Sequence, residues 1–220
     1  MNLSRQHGFT LWELLITMLV AGVLIGIGVP NVMEFQRNSA MTAAANQLLT
    51  GLIMARTEAV KRQVPVGVCL SANPTAASPT CSPNAVANSA DLGFIVWVDE
   101  NKNVDANKVP ILTDATDGNG IVDANEDILM REAPRGVPIK VSANCGYVSF
   151  APTGFTRAVA GLCNPTPRDV LYCDDRGRRV AAGSLSSARI VTINPTGRGQ
   201  VLQETTDIDP RIAGTGGTCP

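Results

Sequence analysis

Aromatic and histidine side chains are scarce in this chain. Phe, Trp and Tyr together make up 4% of its 220 residues, and His7 is the single histidine. Few aromatic rings leave little basis for a nucleic-acid site that works by base stacking. Because the one histidine lies close to the N-terminus, the rest of the chain has no Ser–His or Cys–His pair for nucleophilic catalysis. P-loop and GxGxxG segments are also missing, so the sequence predicts a protein that is not an enzyme.

An apolar run, Phe9–Val29, follows the polar leader MNLSRQHG and is about long enough to cross a bilayer as a helix. Glu13 lies inside this run, where a carboxylate is costly and by default marks a functional site. A secretory signal peptide would place its small cleavage-site residues after the apolar core, whereas Gly8 precedes it. Cleavage after Gly8 would keep the helix on the mature chain. The alternative is an uncleaved anchor, with Arg5 held on the cytoplasmic side of the membrane.

The string GFTLWELLITMLVAGVLIGIGVP resembles the N-terminal signal of type IV pilins and type II secretion pseudopilins. Gly8 stands before the cut of that signal and Phe9 after it, with Glu13 at the fifth mature position and Pro30 at the twenty-second. The resemblance implies that a prepilin peptidase removes the leader, residues 1–8, and methylates the new amino group of Phe9. It also implies that Glu13 pairs with the N-terminal amine of a neighbouring subunit during assembly.

Later segments resemble the GspH/FimT-type minor pilins and pseudopilins. The similar pieces are a helix ending in ARTEAVKR, then VGVCL, GFIVWVDEN, LYCDDRG and ARIVTINPTGR. The resemblance implies a structural subunit that primes filament assembly at or near the tip. Its partners would be other pilin or pseudopilin subunits, the prepilin peptidase and the inner membrane, which it would cross once with its C-terminal domain in the periplasm. A minor pilin of a type IV pilus, a GspH-type pseudopilin of type II secretion and a DNA-binding minor pilin for natural transformation remain as alternatives.

The helical pattern is predicted to continue beyond the transmembrane and assembly segment, residues 9–30. Proline near a membrane boundary can kink a helix without ending it, so residues 31–62 are expected to form an amphipathic continuation. Basic residues at 61 and 62 suit the C-terminal end of a helix dipole. Apolar residues at three- and four-residue steps form one stripe along this continuation: Ala45, Leu48, Leu52, Ala55 and Ala59.

Residues 63–220 are predicted to form a periplasmic, β-rich globular domain, because short apolar runs there alternate with turn residues. Hairpins are expected over 137–151, around Asn144, and over 189–203. The fold class is therefore α+β, with a long N-terminal helix whose membrane-spanning first half precedes a second half packed on a C-terminal antiparallel sheet. Eight strands are expected, at 66–70, 93–98, 127–132, 137–142, 146–151, 169–173, 189–194 and 198–203.

Six cysteines follow the predicted membrane anchor, and none of them forms a CxxC pair. The even number fits disulfides in an oxidising periplasm better than a zinc or thioredoxin-type site. The sequence leaves the connectivity open, and one or two free buried thiols are the alternative. The favoured pairs, two that close local loops and one that holds the C-terminal tail, are Cys69–Cys81, Cys145–Cys163 and Cys173–Cys219.

Two acidic turns have part of the oxygen spacing of a calcium loop. The first has Val104 where the turn glycine belongs, and the second has Ala115 where the first acid belongs. Because Asp and Asn favour turns in any case, solvated turns without calcium are the favoured interpretation, and no cofactor is expected. The candidate ligands are Asp99, Asn101, Asn103 and Asp105 in the first turn, and Asp117, Asn119, Asp123 and Glu126 in the second.

Arginines near the C-terminus are candidates for DNA contact. Some FimT-type minor pilins bind DNA through a G-R-x-R motif, which Arg198 in the string GRGQ matches only in part. Arg178 and Arg179 lie beside Asp174 and Asp175, which oppose phosphate binding. The net charge of −1 also predicts no general affinity for polyanions. Nucleic-acid binding needs several uncompensated cations, so a solvated loop with internal ion pairs is favoured over a DNA site.

Overall fold

The structure, a computed structural model, describes residues 8–90, 92–100, 118–123, 126–133, 139–177 and 185–215. Helix α1 covers Leu11–Arg62 without a break, so the helix continues through position 30 as expected. It ends where Gln63 adopts a left-handed backbone conformation with φ of 60°, a usual way to terminate a helix. The Gln63 side chain donates a hydrogen bond to the Val60 carbonyl, 2.6 Å away, which satisfies one of the helix's last acceptors.

The chain divides into two compact units, with the boundary at Ser39–Ala40 inside α1. In the ranges that the structure describes, the second unit contains ten strands, a second helix and a short 3-10 helix at Ala213–Thr215. The strands are β1 Val66–Ser71, β2 Val86–Ala90, β3 Gly93–Val98, β4 Ile128–Glu132, β5 Lys140–Ala143, β6 Tyr147–Phe150, β7 Thr156–Arg157, β8 Arg168–Cys173, β9 Leu185–Ile193 and β10 Gly199–Glu204; the second helix, α2, is Thr205–Ile212.

The strands form two five-stranded sheets in which the pairs are antiparallel. The first sheet has the order β4-β3-β1-β6-β7, and the second has the order β10-β9-β8-β5-β2. Strand β1 is central in the first sheet, and its Val66 lies opposite Val98 of β3 on one side and Phe150 of β6 on the other. The α+β class and the antiparallel domain predicted from the sequence are confirmed.

The second half of α1 supplies one side of the main core. Its predicted stripe is buried, and Met41 extends the stripe by one turn. These side chains pack with apolar residues from both sheets, such as Val68 and Val96 of the first and Val170 and Val191 of the second. Burial of this stripe, more than helix propensity, therefore stabilises this part of the helix.

Two smaller clusters cover the other faces of the sheets. Trp97 and Tyr147 pack with their ring centroids 6.0 Å apart in the cluster on the first sheet. Gly67 permits this packing, since a Cβ there would lie 2.5 Å from the Trp97 ring. On the second sheet, Ile208 and Ile212 of α2 cover apolar side chains of β8 and β9. Strands β1, β3 and β8 are therefore buried along their whole lengths. This explains the nearly continuous apolar sequences of β1 and β3, whereas β8 begins with the buried charged residues Arg168 and Asp169.

Two disulfides close local loops in the described part of the chain. They join Cys69 to Cys81 and Cys145 to Cys163, the same local pairs that the sequence favoured. Cys219 lies outside the described residues, so the pairing of Cys173 with Cys219 stays a prediction.

The predicted hairpin over 137–151 is wrong. Strand β5 pairs with β2 and β8, whereas β6 pairs with β1 and β7 in the other sheet. Asn144 does not form a hairpin turn but continues the pairing with β8: its side-chain oxygen accepts a hydrogen bond from Asp169 N at 2.9 Å. Its amide group donates to the Pro167 carbonyl at 3.0 Å. The chain therefore crosses between the sheets at this point.

The hairpin over 189–203 is confirmed as β9 and β10. Its turn closes through hydrogen bonds from Asn194 N to the Arg198 carbonyl and from Gly197 N to the Asn194 carbonyl. Besides the short 3-10 helix, the sequence prediction lacked two strands and one α-helix, namely β2, β7 and α2. Strand β2 has the sequence VANSA at a sheet edge, β7 has two residues, and α2 contains Pro210. Each is too short or too polar for hydrophobic periodicity to reveal it.

Candidate functional site

Thr10 is the N-cap of α1, directly after the two residues that flank the predicted cleavage site. Its hydroxyl oxygen accepts a hydrogen bond from Glu13 N at 3.3 Å, and its carbonyl accepts one from Leu14 N at 3.2 Å. Thr10 and Glu13 thus occupy the cap and third positions of the T-x-x-E capping-box sequence. A carboxylate in the first turn is also favoured by the helix dipole. The capping bond comes from the main-chain N–H of Glu13. Sequence reasoning missed this helix cap, although the T-x-x-E spacing could have revealed it.

The described residues around Gly8 do not require a glycine at this position. A Cβ at this position would meet no atom within 4 Å, and the residue does not have a positive φ. The following Phe9 is 84% exposed and lies before the first helical residue. The roles of Gly8 and Phe9 in processing stay predictions.

The first half of α1 exposes a continuous apolar surface. The large apolar side chains from Phe9 to Val29 are all exposed, and the helix is long and apolar enough to cross a membrane. Monomeric soluble proteins rarely expose apolar patches of this extent. This segment therefore needs a lipid or protein environment that the isolated chain does not supply. Position 30, predicted to act in assembly, lies inside the helix.

Asp99 is the only member of the first acidic turn that the structure describes, and it is fully buried. Its Oδ2 accepts a hydrogen bond from Gly120 N at 3.0 Å and lies 3.9 Å from the Arg157 guanidinium. Its carbonyl accepts a hydrogen bond from Gly118 N. The two acidic turns therefore meet, although they are separate in the sequence.

Burial raises the pKa of Asp99 to about 6, against the lowering effects of the Gly120 hydrogen bond and the Arg157 charge. Burial, with a smaller contribution from the charge of Asp99, raises the pKa of the Tyr147 hydroxyl to about 12. Asp99 is thus a carboxylate whose ionised form is disfavoured inside the fold. An arginine at 3.9 Å is also an unfavourable neighbour for a cation at this carboxylate.

The described part of the second acidic turn holds itself together by hydrogen bonds. The Asn119 amide group donates to Asp123 Oδ2 at 3.1 Å, and Asp123 N donates to Glu126 Oε2 at 2.8 Å. Within the ranges that the structure describes, no group of three His, Cys, Asp or Glu residues is placed to hold a metal ion. Four predicted ligands lie outside those ranges, so calcium binding stays a prediction; they are Asn101, Asn103, Asp105 and Asp117.

The basic residues near the C-terminus have different environments. Arg176 forms an ion pair with Asp174, with its Nη2 2.6 Å from Oδ2. Arg189 is buried and donates hydrogen bonds to backbone carbonyls, including that of Ser186 at 2.7 Å. Burial, and secondarily the charge of Arg176, lowers the pKa of Arg189. Both guanidinium groups therefore brace the fold.

The other candidate DNA contacts are not brought together in the described structure. Arg198 is exposed in the β9–β10 turn, whereas Arg178 and Arg179 lie outside the described residues. A DNA site that contains these three arginines therefore stays a prediction.

Two family models match the chain. One, described as type II transport protein GspH, matches residues 44–197, and the other, described as a prokaryotic N-terminal methylation motif, matches residues 3–29. With the long N-terminal helix and the antiparallel sheets, these matches define the class of the molecule as pilin-like. The GspH match covers most of the chain, and the chain belongs to this family of minor pilins and pseudopilins. The members of this family are structural subunits of filaments.

Solved structures similar to this chain include two crystal forms of the type IV minor pilin FimU from Pseudomonas aeruginosa strain PAO1. One is 15% identical, with coverage of 76% of this chain and 92% of FimU and a TM-score of 0.41. The other is 13% identical, with coverage of 73% and 91% and a TM-score of 0.39. No curated protein matches the chain.

Proposed function

We propose that this chain is a minor pilin of a type IV pilus that helps to prime assembly at or near the filament tip. One observation carries the proposal: the same chain combines a methylation motif at residues 3–29, an exposed apolar helix and a GspH-type unit. Cleavage after Gly8 would leave a mature chain that begins at Phe9, next to the capped start of α1. Residues 9–30 would span the inner membrane until assembly, with residues 63–220 in the periplasm.

Assembly by this route exchanges one apolar environment for another. The exposed side chains of α1 would leave lipid and pack against the helices of other pilins, which restores their apolar contacts. For Glu13 the two environments differ, because a carboxylate in lipid is costly as long as it has no partner. Pairing of Glu13 with the methylated amine of a neighbouring subunit would remove that cost. The charge of Glu13 would thereby favour the filament over the free membrane-bound subunit.

Processing is tested by mass spectrometry of the chain purified from cells that contain the prepilin peptidase. The expected mature chain begins with N-methylated Phe9, and Gly8→Val should block cleavage. A chain that keeps Met1, or one cut after residue 30, would show that the proposed signal is not used.

The role of Glu13 is tested by separating its charge from its place in the helix cap. Glu13→Gln keeps a capping-box side chain but removes the charge, whereas Thr10→Ala removes the cap and keeps the charge. We expect Glu13→Gln to reach the membrane at normal levels and to be depleted from sheared filaments, with Thr10→Ala much less affected. Equal incorporation of Glu13→Gln and the unaltered chain would rule out the assembly role.

The second candidate is a GspH-type pseudopilin of a type II secretion system, which the match to the GspH model supports equally. The two candidates share the processing and assembly steps and differ in the machine that the filament serves. A deletion strain separates them: loss of surface pili with normal secretion supports the pilus, and the reverse supports the secretion system.

DNA binding is the less favoured alternative. Arg176 is paired with Asp174, and Arg189 is buried against backbone carbonyls, so neither is an open phosphate contact. A gel-shift experiment at low salt tests it, since DNA capture by this chain requires retardation under those conditions. No retardation would exclude this alternative.

A further inference from the structure

A groove lies on the second compact unit, between α1 and the β9–β10 turn. It has a volume of about 720 Å³, and Ile53 and Val60 on α1 supply its apolar surface. The two side chains are 58% and 44% exposed, so they lie off the buried stripe and leave aliphatic surface open to solvent. Arg56 and Arg198 also line it, and we refer to it as the Arg56–Arg198 groove.

The two arginines are exposed, and in the part of the chain that the structure describes neither guanidinium group has a hydrogen bond or an ion pair. Lys61, which also lines the groove, differs from them because it pairs with Glu58 at 3.2 Å. The groove therefore combines aliphatic surface with two cations whose charges are not compensated. An occupant that offers both aliphatic side chains and carboxylates would be complementary to it.

Glycines set the geometry around both arginines. Gly154 has φ of +79°, and a Cβ there would lie 3.3 Å from Arg56 Nε, so the arginine lies against bare backbone. Gly197, with φ of +76°, packs so close to the Gly154 carbonyl that a side chain would clash with it. The turn that carries Arg198 is closed by a 3.0 Å hydrogen bond from Asn194 N to the Arg198 carbonyl. The backbone under both cations is thus fixed before any partner arrives.

The chemistry of the groove favours a protein segment over a nucleic acid. No aromatic side chain is among the described residues that line it, so bases would have no ring on which to stack. Two unpaired arginines supply few phosphate contacts, and the chain as a whole has a net charge of −1. Carboxylates, in contrast, form strong paired hydrogen bonds with single arginines.

We propose that the Arg56–Arg198 groove binds an acidic, aliphatic segment of the neighbouring pilin or pseudopilin subunit. Carboxylates of that segment pair with Arg56 and Arg198, and its aliphatic side chains cover Ile53 and Val60. The proposal rests on the proposed function, which supplies the neighbour, and adds the surface and the chemistry by which one subunit recognises the next.

The test places a photo-crosslinking amino acid at Thr57, an exposed position that lines the groove, in the full-length chain in cells that assemble filaments. A second version carries the crosslinker at Leu24 on the apolar helix and reports assembly itself. We expect the Thr57 version to capture one peptide of another pilin or pseudopilin that contains Asp or Glu beside aliphatic residues. Leu24 crosslinks to pilins without Thr57 crosslinks would overturn the groove proposal alone, and loss of both would overturn the proposed function as well.

Charge variants then test the recognition chemistry. Replacing both Arg56 and Arg198 by Gln should lower the Thr57 crosslink on the order of tenfold, because each charge-assisted hydrogen bond strengthens binding severalfold. Thr50→Glu, on an exposed part of α1 outside the groove, lowers the net charge by one unit, half the change in the double variant, and should leave the yield unchanged. An unchanged yield in the double variant, a captured peptide without carboxylates, or capture of nucleic acid would each overturn the proposal.

Discussion

Asp99→Asn should remove a pH-dependent loss of stability from the second compact unit. Burial raises the pKa of Asp99 from 3.8 to about 6, although Arg157 and the Gly120 amide oppose the rise. Between these values the folded state binds more protons than the unfolded chain, so the free energy of unfolding falls as pH rises. A difference of about two pKa units corresponds to roughly 3 kcal/mol. This contribution is fully present below pH 3.8 and is lost as pH rises through 6.

The assay is urea denaturation of a fragment of residues 40–220 between pH 4 and pH 7, with the disulfides intact. Trp97 is the only tryptophan of this fragment and is fully buried, so its fluorescence reports unfolding of the first sheet. We expect the stability of Asp99→Asn, relative to the unaltered fragment, to rise by roughly 2 kcal/mol over this range, because part of the loss already occurs below pH 4. Asp175→Asn removes an exposed carboxylate and controls for a change in total charge. Parallel pH profiles for the unaltered fragment and Asp99→Asn would refute the argument from burial.

Three further substitutions, one of them with a matched control, test the packing of the same unit by urea denaturation. Leu52→Ala removes a side chain that is 2% exposed in the main core and should cost about 2–5 kcal/mol; a loss below about 1 kcal/mol would mean that the stripe is poorly packed. Gly93→Ala should prevent β3 from pairing with β4, because a Cβ would clash with a backbone carbonyl of β4, whereas Gly214→Ala, with open space around it, should be tolerated. Equal stability of these two variants would contradict the strand register. Arg211→Met should cost roughly 2 kcal/mol, because the nearly buried Asp169 would lose a pair of hydrogen bonds at 3.1 and 3.2 Å; an unchanged midpoint would show that α2 is held by its apolar face alone.

Local patterns in the sequence predicted where the helix and the strands lie better than they predicted which strands pair with each other. The stripe that includes Ala45 and Leu52 has a helical period and is buried as expected, and the runs at 66–70 and 93–98 are strands because both of their faces are covered. The hairpin over 137–151 failed because the sequence around Asn144 does not show that its side chain bonds to a distant strand. Pairing between strands is decided by the assembled sheets, which a local pattern does not contain.

The candidate sites follow the same rule: features that are local in the sequence could be predicted, and features that depend on distant contacts could not. The spacing of Gly8, Phe9 and Glu13 is local, and so is the capping sequence that starts at Thr10, which could have been found in the same way. The Arg56–Arg198 groove could not have been predicted, because its two arginines meet only after α1 packs beside the β9–β10 turn. The burial of Asp99 likewise depends on contact between two turns that are separate in the sequence.

The two disulfides also limit how far the second unit can lengthen under a pulling force. They join cysteines 12 and 18 residues apart, so these two loops cannot be drawn out even when the surrounding sheets come apart. At about 3.4 Å of extended chain per residue, the length withheld is on the order of 100 Å. Consider a subunit that is held by its N-terminal helix and pulled through its second unit. The Cys69–Cys81 and Cys145–Cys163 bonds would then carry the tension, and the unfolded second unit would extend less than its number of residues implies.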